Sequence, residues 1–294
     1  MAVTVLGTGS IGTAVARVLL GAGREVHVWN RTPGRAAGLV GEGALLAPSA
    51  ADAVDRSHLT LVSVTDHAAV QSLLEGLPGR PRAGTTVVLL TTGSPEEVRR
   101  SARLAASRGL TCLGAGVQTA PTDVGTPRAL FLYAGERPVF ERHRDDLEVL
   151  GPARWVGPHP STAAELDQAL FGLWYDAQIG LLRAFEMTGN AGVPPTELVA
   201  LAAAQLRHVV AGVETTAREL AERDYPRGPA SLAEHAPVLA RLRESRRASR
   251  LGDGGLGEVA RVVEELASGP GSGRGLTAVL DRTDDTGPPA TPAG

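Results

Sequence analysis

A glycine motif near the start of the chain lies between two short apolar segments. Residues 2–6 have the composition of a buried strand, and Gly7-Thr8-Gly9-Ser10-Ile11-Gly12 follows directly. A helical stretch over residues 13–22 and a second apolar segment at 25–29 come next. This order is typical of a dinucleotide-binding βαβ unit. Its three glycines permit a tight turn, close approach of the backbone to a pyrophosphate, and close packing of helix against strand.

The residues after the second predicted strand indicate which dinucleotide is bound. An NAD-binding protein usually has Asp or Glu there, to bind the ribose 2′-hydroxyl. This chain has Asn30-Arg31-Thr32, with Arg35 one turn later. A guanidinium attracts a 2′-phosphate that a carboxylate would repel. The sequence therefore predicts NADPH, and the alternative is that Arg31 is a solvated turn residue.

Strand-type and helix-type segments alternate through the first half of the chain. This alternation predicts an α/β fold with a doubly wound, mostly parallel Rossmann sheet over residues 1–160. We expect Val64, at the end of a later strand, Thr65 directly after it, and Thr92 after the next strand to contact the cofactor as well. The predicted strands are 2–6, 25–29, 44–46, 59–64, 85–90, 111–115 and 130–134, and the predicted helices are 13–22, 33–40, 49–54, 67–74 and 96–108.

From about residue 161 onward the pattern is helical only. A long helix over about 162–188 connects the halves, and further helices are predicted at 195–221, 231–250, 256–267 and 276–281. Residues 161–283 therefore form a predicted all-α domain. Residues 284–294 are rich in Pro, Gly, Thr and Asp, which predicts a disordered tail.

Composition excludes several classes of function. The net charge is −3, which gives no basic field for nucleic acid, and Cys112 is the single cysteine. The seven histidines show no metal-ligand spacing, so the sequence predicts no metal site. No apolar run is long enough to span a bilayer, and the N-terminal segment lacks the features of a signal peptide. We expect a soluble, cytoplasmic protein that acts on a small molecule.

The chain contains no lysine, because all 29 basic residues are arginine. A Schiff base on lysine and a lysine general acid or base are therefore impossible.

Two further segments resemble those of a known superfamily. Residues 114–119 (GAGVQT) and 124–130 (VGTPRAL) are similar to the substrate-side segment of the β-hydroxyacid and 6-phosphogluconate dehydrogenases, which faces the nicotinamide. The resemblance implies that Gln118 and Thr119, together with Thr92, border a substrate pocket. Those dehydrogenases use a lysine on the interdomain helix as general acid/base, which this chain cannot do.

One branch of that superfamily lacks the lysine, namely the imine reductases and reductive aminases. Residues 173–177 (LWYDA) and the run from Gly125 to Gly135 resemble this branch. The resemblance implies NADPH-dependent reduction of imines to amines and a homodimer with interlocked helical domains. It also implies that the helical domain, residues 161–283, serves both dimerisation and substrate binding. The best-known aminases have Asn at the position of Thr92, so the chain departs from their pattern there.

Asp176 is the predicted catalytic residue. It lies in an apolar helical stretch, with Gly172 and Gly180 four residues to either side, so that the glycines leave space for a ligand. A carboxylate about 4 Å from an iminium stabilises the cation by roughly 4 kcal/mol at an effective dielectric near 20. Tyr175 is the second-choice proton donor. The alternative is a structural ion pair between Asp176 and Arg183.

Two other functions stay open from the sequence. The first is an NADP-dependent reductase of a carbonyl or hydroxy acid, with Asp176 or Tyr175 in place of lysine. The second is a non-catalytic NADP-binding protein.

Overall fold

The structure is a computed structural model that describes residues 2–77, 81, 82 and 84–281. They divide into two compact units, Met1–Leu173 and Trp174–Gly294. We call these the Rossmann unit and the helical unit. The predicted tail at 284–294 lies outside the described residues.

The Rossmann unit contains one eight-stranded sheet. Its strand order is β3-β2-β1-β4-β5-β6-β7-β8, and every neighbouring pair is parallel except β6 and β7. The order reverses between β1 and β4, as in other doubly wound folds. The predicted mostly parallel sheet is therefore confirmed. The strands are β1 (Ala2–Leu6), β2 (Glu25–Trp29), β3 (Leu45–Leu46), β4 (Leu59–Val62), β5 (Thr86–Leu89), β6 (Thr111–Val117), β7 (Phe131–Ala134) and β8 (Ala153–Gly157).

Helices cover both faces of this sheet, as a parallel sheet requires. On one face, Leu59 and Leu61 pack in a core with residues of α1, α2 and α6, and on the other, Val62 packs with residues of α3, α4 and α5. The alternation along β4 follows the two-residue period of a strand. The helices are α1 (Ser10–Gly21), α2 (Ala37–Gly41), α3 (Ala50–Asp55), α4 (His67–Glu75), α5 (Pro95–Ser107) and α6 (Arg137–Glu148).

Helix α7 (Pro160–Asn190) has 31 residues and runs from the Rossmann unit into the helical unit, with the boundary after Leu173. Four further helices follow, α8 (Pro195–Ala211), α9 (Val213–Glu222), α10 (Leu232–Ser245) and α11 (Leu256–Ala267), and then a 3₁₀ turn at Leu276–Leu280. The core of the helical unit is small and centres on Tyr225, Leu232, Val263 and Ala278. Within the residues that the structure describes, α8 and α9 have no buried residue.

The structure differs from the sequence-based prediction in several elements. Helix α6 and strand β8 were not predicted. Helix α6 is strongly charged with few apolar residues, and β8 is an edge strand with Arg154 and Trp155 in its middle. The predicted helix 195–221 is two helices that meet at Gly212, because glycine weakens a helix interior. The predicted helix 231–250 ends at Ser245, and residues 33–36 form a 3₁₀ turn.

Across the described ranges, no helix is both long enough and apolar enough to cross a membrane.

Candidate active site

The loops that follow five neighbouring parallel strands enclose a cavity of about 1060 Å³. It lies where the strand order reverses, which is the usual ligand position in a doubly wound sheet. Phe171 of α7 also borders it. Most predicted cofactor residues line this cavity, namely Gly7, Gly9, Ser10, Ile11, Asn30, Arg31, Thr32, Arg35, Val64, Thr65 and Thr92.

Two glycines of the motif are required by close backbone contacts. Gly7 has φ +95°, and a Cβ there would lie 2.1 Å from the Ser63 carbonyl oxygen. A Cβ on Gly12 would lie 2.0 Å from the carbonyl oxygen of Gly7, so only glycine lets α1 pack this close to the turn. A Cβ on Gly9 would have no neighbour within 4 Å. Gly9 lines the cavity.

The N-terminus of α1 suits an anion. Gly9 is its N-cap and offers no side-chain acceptor, and the first turn contains no acidic residue. The N–H groups of this turn are therefore available to a phosphate, and the helix dipole favours one. The Thr8 side chain is buried, and its Oγ1 has no hydrogen-bond partner among the described residues. These observations fit the pyrophosphate of a dinucleotide.

The loop after β2 carries two arginines. Arg31 and Arg35 are exposed and line the cavity. In the part of the chain that the structure describes, neither forms an ion pair with a carboxylate. The Asn30 side chain, in contrast, is already hydrogen-bonded within the protein. Its Oδ1 accepts from Thr8 N–H at 3.2 Å, and its Nδ2 donates to the Thr32 carbonyl at 2.9 Å. Asn30 therefore connects β2 to the glycine turn.

The loops after β4 and β5 are joined by hydrogen bonds. Thr91 Oγ1 accepts from the Val64 N–H at 3.2 Å, and the buried His67 lies with Nε2 3.2 Å from the Thr91 carbonyl oxygen. The other His67 nitrogen, Nδ1, is 2.9 Å from Ser101 Oγ. Burial lowers the pKa of His67, which favours the neutral ring. Asp66 accepts from Ala69 N–H at 2.8 Å, so it is the N-cap of α4 in addition to lining the cavity.

The substrate-side segment after β6 sends its side chains in two directions. Thr119 lines the cavity, whereas Gln118 is absent from the lining and donates from Nε2 to Asp167 Oδ1 at 2.9 Å. Asp167 lies on α7, is only 2% exposed, and is in contact with Gly116 of β6. Burial raises the pKa of this carboxyl, although Gln118 and the Val117 N–H act in the opposite direction.

The predicted catalytic residues lie on the exposed middle of α7. Tyr175 is 55% exposed, and Asp176 is exposed as well. A Cβ added to Gly172 or Gly180 would meet no atom within 4 Å, so helix α7 is open at both glycines.

The alternative ion pair between Asp176 and Arg183 does not form. The Arg183 guanidinium instead donates to the carbonyl oxygens of Gly252 and Leu251, at 2.8 and 2.9 Å.

Sequence reasoning missed some residues at this edge of the sheet. Ser63, Thr91 and Phe171 line the cavity without having been predicted. Asp167 was also missed, although it is a carboxylate in the same apolar helix as Asp176. The signal that could have identified it is the pair Ala163 and Ala164, which precede it by one turn and are buried. Small residues on that face indicate close contact with the sheet.

The fold and the cavity define a dinucleotide-binding protein with a second, helical unit. The NAD binding domain of 6-phosphogluconate dehydrogenase matches residues 2–157, and the C-terminal domain of the NADPH-dependent reductive aminase-like proteins matches residues 159–281. The chain belongs to the imine reductase and reductive aminase family.

Relatives in this family match the chain over nearly its whole length. An NADPH-dependent reductive aminase from Aspergillus oryzae is 25% identical over 94% of this chain and 95% of its own. The reductive aminase from Aspergillus terreus, in complex with NADPH and ethyl levulinate, is 29% identical with a TM-score of 0.86, over 96% of this chain and 98% of its own. An imine reductase from Myxococcus stipitatus in complex with NADP+ is 26% identical with a TM-score of 0.87, over 96% and 99%.

Proposed function

We propose that this chain reduces imines, with cyclic imines as the first candidates, to amines by using NADPH. The observation that carries this proposal is one chain that combines an NADP-type cavity with a reductive aminase-like C-terminal domain. The absence of lysine supports it, because the lysine-dependent chemistry of the related hydroxyacid dehydrogenases is not available.

Each part of the cavity has a proposed role toward NADPH. The α1 N-terminus with Gly9 and Ser10 binds the pyrophosphate, and Thr8 and Gly12 shape this turn. Arg31, with Thr32 and Arg35, binds the 2′-phosphate by charge and hydrogen bonds, while Asn30 positions the turn. The loops with Val64, Thr65 and Thr92 continue the cavity toward β6, where Thr119 lines it and Gln118 lies beside it.

NADPH supplies the hydride that the imine carbon accepts. What this chain adds is orientation and an electrostatic field. We propose that Asp176 stabilises the positive charge of the protonated imine, and that Gly172 and Gly180 leave room for the substrate beside it. Tyr175 is the alternative proton donor on the same helix.

Asp167 is a second candidate for the group that donates a proton to the product nitrogen. A buried carboxyl whose pKa is raised stays protonated at higher pH than an exposed one, and so can hold a proton for the product nitrogen. It is anchored next to Val117, which lines the cavity. Two carboxyls in different surroundings are the usual arrangement for separating charge stabilisation from proton donation.

We also propose a homodimer with interlocked helical domains and with the active site between one subunit's Rossmann domain and its partner's helices. The exposure of α7 supports it, because Gly172 to Gln178 are exposed all around the helix, including Leu173 at 63% and Trp174 at 56%. Helix α8 exposes Val210 at 71% in the same chain. Exposed apolar surface of this extent is typical of a subunit interface. We further propose a cytoplasmic location, where reduced nicotinamide cofactors are available.

The test is oxidation of NADPH, followed by absorbance, with five-, six- and seven-membered cyclic imines as substrates. Keto acids, hydroxy acids with NADP+, and simple ketones are the controls. We expect imine-dependent oxidation and little turnover of the controls. Turnover of a keto acid without any imine turnover would instead support the carbonyl reductase, and NADPH binding without turnover of any substrate would support a binding protein.

A further inference from the structure

Two histidines and an aspartate lie close together at the end of the sheet where β4 begins, whereas the cofactor cavity lies at the end where it finishes. His58 directly precedes β4, while His143 and Asp146 lie one turn apart on α6. One ring nitrogen of each histidine and one carboxylate oxygen all lie within 4.8 Å of one another. The two imidazole rings are stacked with centroids 5.4 Å apart. Sequence spacing does not reveal this group, because 85 positions separate its two histidines.

One ring nitrogen of His143 is buried without a hydrogen-bond partner among the described residues and so could bind a metal ion. The side chain is buried, and its Nε2 lies 2.8 Å from Thr86 Oγ1. Its Nδ1 is buried and has no hydrogen-bond partner among the described residues. When Nε2 carries the proton and donates it to Thr86, Nδ1 presents a lone pair. A hydrogen bond on the far ring nitrogen is the arrangement that orients a metal-binding histidine.

The other two side chains, His58 and Asp146, are in direct contact. His58 Nε2 lies 3.1 Å from Asp146 Oδ2. The second oxygen of the same carboxylate, Oδ1, is 2.8 Å from Arg24 Nε. Arg24 thus orients the carboxylate and leaves Oδ2 directed toward the imidazole. Both His58 and Asp146 are only partly buried, so the group can be reached from solvent.

We propose that His58, His143 and Asp146 form a binding site for a divalent cation of the zinc class. Two imidazoles and one carboxylate are ligands that Zn²⁺ prefers, and a water molecule completes the tetrahedron. Tetrahedral bonds of about 2.0–2.2 Å separate the donor atoms by about 3.4 Å, so the ligand atoms must move together by about 1.4 Å or less. The two stacked rings must also turn, because the lone pair of an imidazole nitrogen lies in the plane of its ring. Binding replaces the contact between His58 Nε2 and Asp146 Oδ2 by bonds from both atoms to the cation.

This cation would act on the fold and not on the hydride transfer. His58 precedes β4 and Ser63 of the cofactor cavity follows it, so the two ends of the strand are about 16 Å apart. The cation would connect the start of β4 to α6, which are far apart in sequence. A ligand that binds only the folded state raises stability.

The test uses the full-length protein after treatment with a chelator. ZnCl₂ is titrated calorimetrically, and CoCl₂ is titrated with visible absorption as the readout, since tetrahedral Co²⁺ has characteristic bands. The variants are His58→Gln and Asp146→Asn, both at partly exposed positions. The matched control is His208→Gln, which removes an exposed histidine from α8. Circular dichroism and NADPH binding verify that each variant is folded.

We expect the wild type and His208→Gln to bind one equivalent of Zn²⁺, to show the Co²⁺ bands, and to melt at higher temperature with Zn²⁺. His58→Gln and Asp146→Asn should bind at least about tenfold more weakly, the scale on which metal sites respond to altered ligands. The proposal is overturned if the wild type binds no stoichiometric Zn²⁺, or if folded His58→Gln binds it as tightly as the wild type.

Discussion

The side-chain oxygen of Asn30 accepts a hydrogen bond from the backbone N–H of Thr8 across 3.2 Å. This contact connects the end of β2 to the glycine turn that begins α1. A single side chain therefore contacts both of the segments that would bind the 2′-phosphate and the pyrophosphate of NADPH, in addition to the backbone hydrogen bond from Gly7 N–H to the Trp29 carbonyl. The Asn30 amide also donates to the Thr32 carbonyl, so the same side chain shapes the turn that carries Arg31.

Replacing Asn30 should affect both nicotinamide cofactors. We expect Asn30→Ala to weaken NADPH and NADH binding by a similar factor, because it loosens the glycine turn that both cofactors contact. The expected loss is about 1 kcal/mol, the usual net contribution of one hydrogen bond. Fluorescence titration with each cofactor measures it. A loss confined to NADPH would assign Asn30 to the 2′-phosphate instead.

Replacing Arg31 should affect NADPH alone. Arg31→Ala removes a charge that could form a charged hydrogen bond with the 2′-phosphate, so NADPH binding should weaken by about 1.5–3 kcal/mol with NADH binding unchanged. The matched control is Arg154→Ala, an exposed arginine on β8. The wild type should prefer NADPH, and equal affinity for the two cofactors would contradict the proposed role.

The sequence predicted the sheet well because buried parallel strands are continuous apolar runs that glycine turns and capping residues delimit. Strands β1 and β2 begin and end where the sequence predicts. Helix α6 escaped prediction because its apolar face is short, with Val139, Phe140 and Leu147 among many charges. Its burial depends on packing against the sheet, which is a tertiary property.

Sequence patterns placed residues at the cavity only where a short local segment fixes their position relative to a strand. The glycine turn and the β2 end are local in sequence, so Gly7, Gly9 and Arg31 could be placed at the cavity. Asp167 is buried because α7 packs against β6, where Gly116 allows the close approach. Periodicity in α7 could not separate this carboxylate from Asp176, because both lie in the same largely apolar helix. The same limit applies to His58 and His143, which only the folded sheet brings together.

Stability should fall at mildly acidic pH because of His143. Burial, with the neighbouring charges of His58 and Arg142, lowers the pKa of His143 from 6.5 to about 4, and Asp146 opposes this shift. Between these values the unfolded chain binds the proton and the folded chain does not. The free energy of unfolding is therefore constant with respect to this group above pH 6.5 and decreases as the pH falls toward 4.

The expected loss from His143 is about 2 kcal/mol between pH about 7 and about 5. His67, whose pKa burial also lowers, acts in the same direction. Urea denaturation in the presence of a chelator measures the change. His143→Gln should flatten the dependence, whereas His208→Gln should retain it. If His143→Gln does not fold, a wild-type stability that is unchanged between these pH values is sufficient to contradict the prediction.

The exposed apolar residues of α8 should hold two subunits together. We expect light scattering to give a dimer at micromolar concentration for the wild type. Val210→Asp places a charge on a surface that the proposed interface buries, so it should shift the protein toward monomer and lower imine reduction. Val40→Asp, at an exposed position on α2, is the matched control and should remain dimeric. A wild-type monomer would contradict the proposed assembly.

Variants of Asp176 and of Asp167, both on α7, should differ in their kinetics. Asp176→Ala should leave the fold and NADPH binding intact and lower the rate of imine reduction by about 10²-fold or more, the scale for loss of a positioned acid or base. Asp176→Asn should be nearly as slow, because it keeps the shape and loses the charge that stabilises the protonated imine. Rates close to wild type in both variants would make Asp176 a structural residue and leave Tyr175 and Asp167 as the candidates.

Asp167→Asn tests the other carboxyl, because asparagine can retain the contact with Gln118 while it cannot release a proton. Since burial raises the pKa of Asp167, the wild-type rate should decrease on the alkaline side as this carboxyl loses its proton. In Asp167→Asn we expect a lower rate of imine reduction without that alkaline decrease, and unchanged NADPH affinity. Tyr175→Phe, measured over the same pH range, distinguishes a tyrosine donor. A pH profile of Asp167→Asn identical to the wild type would show that Asp167 only anchors Gln118, and that the proton comes from another group.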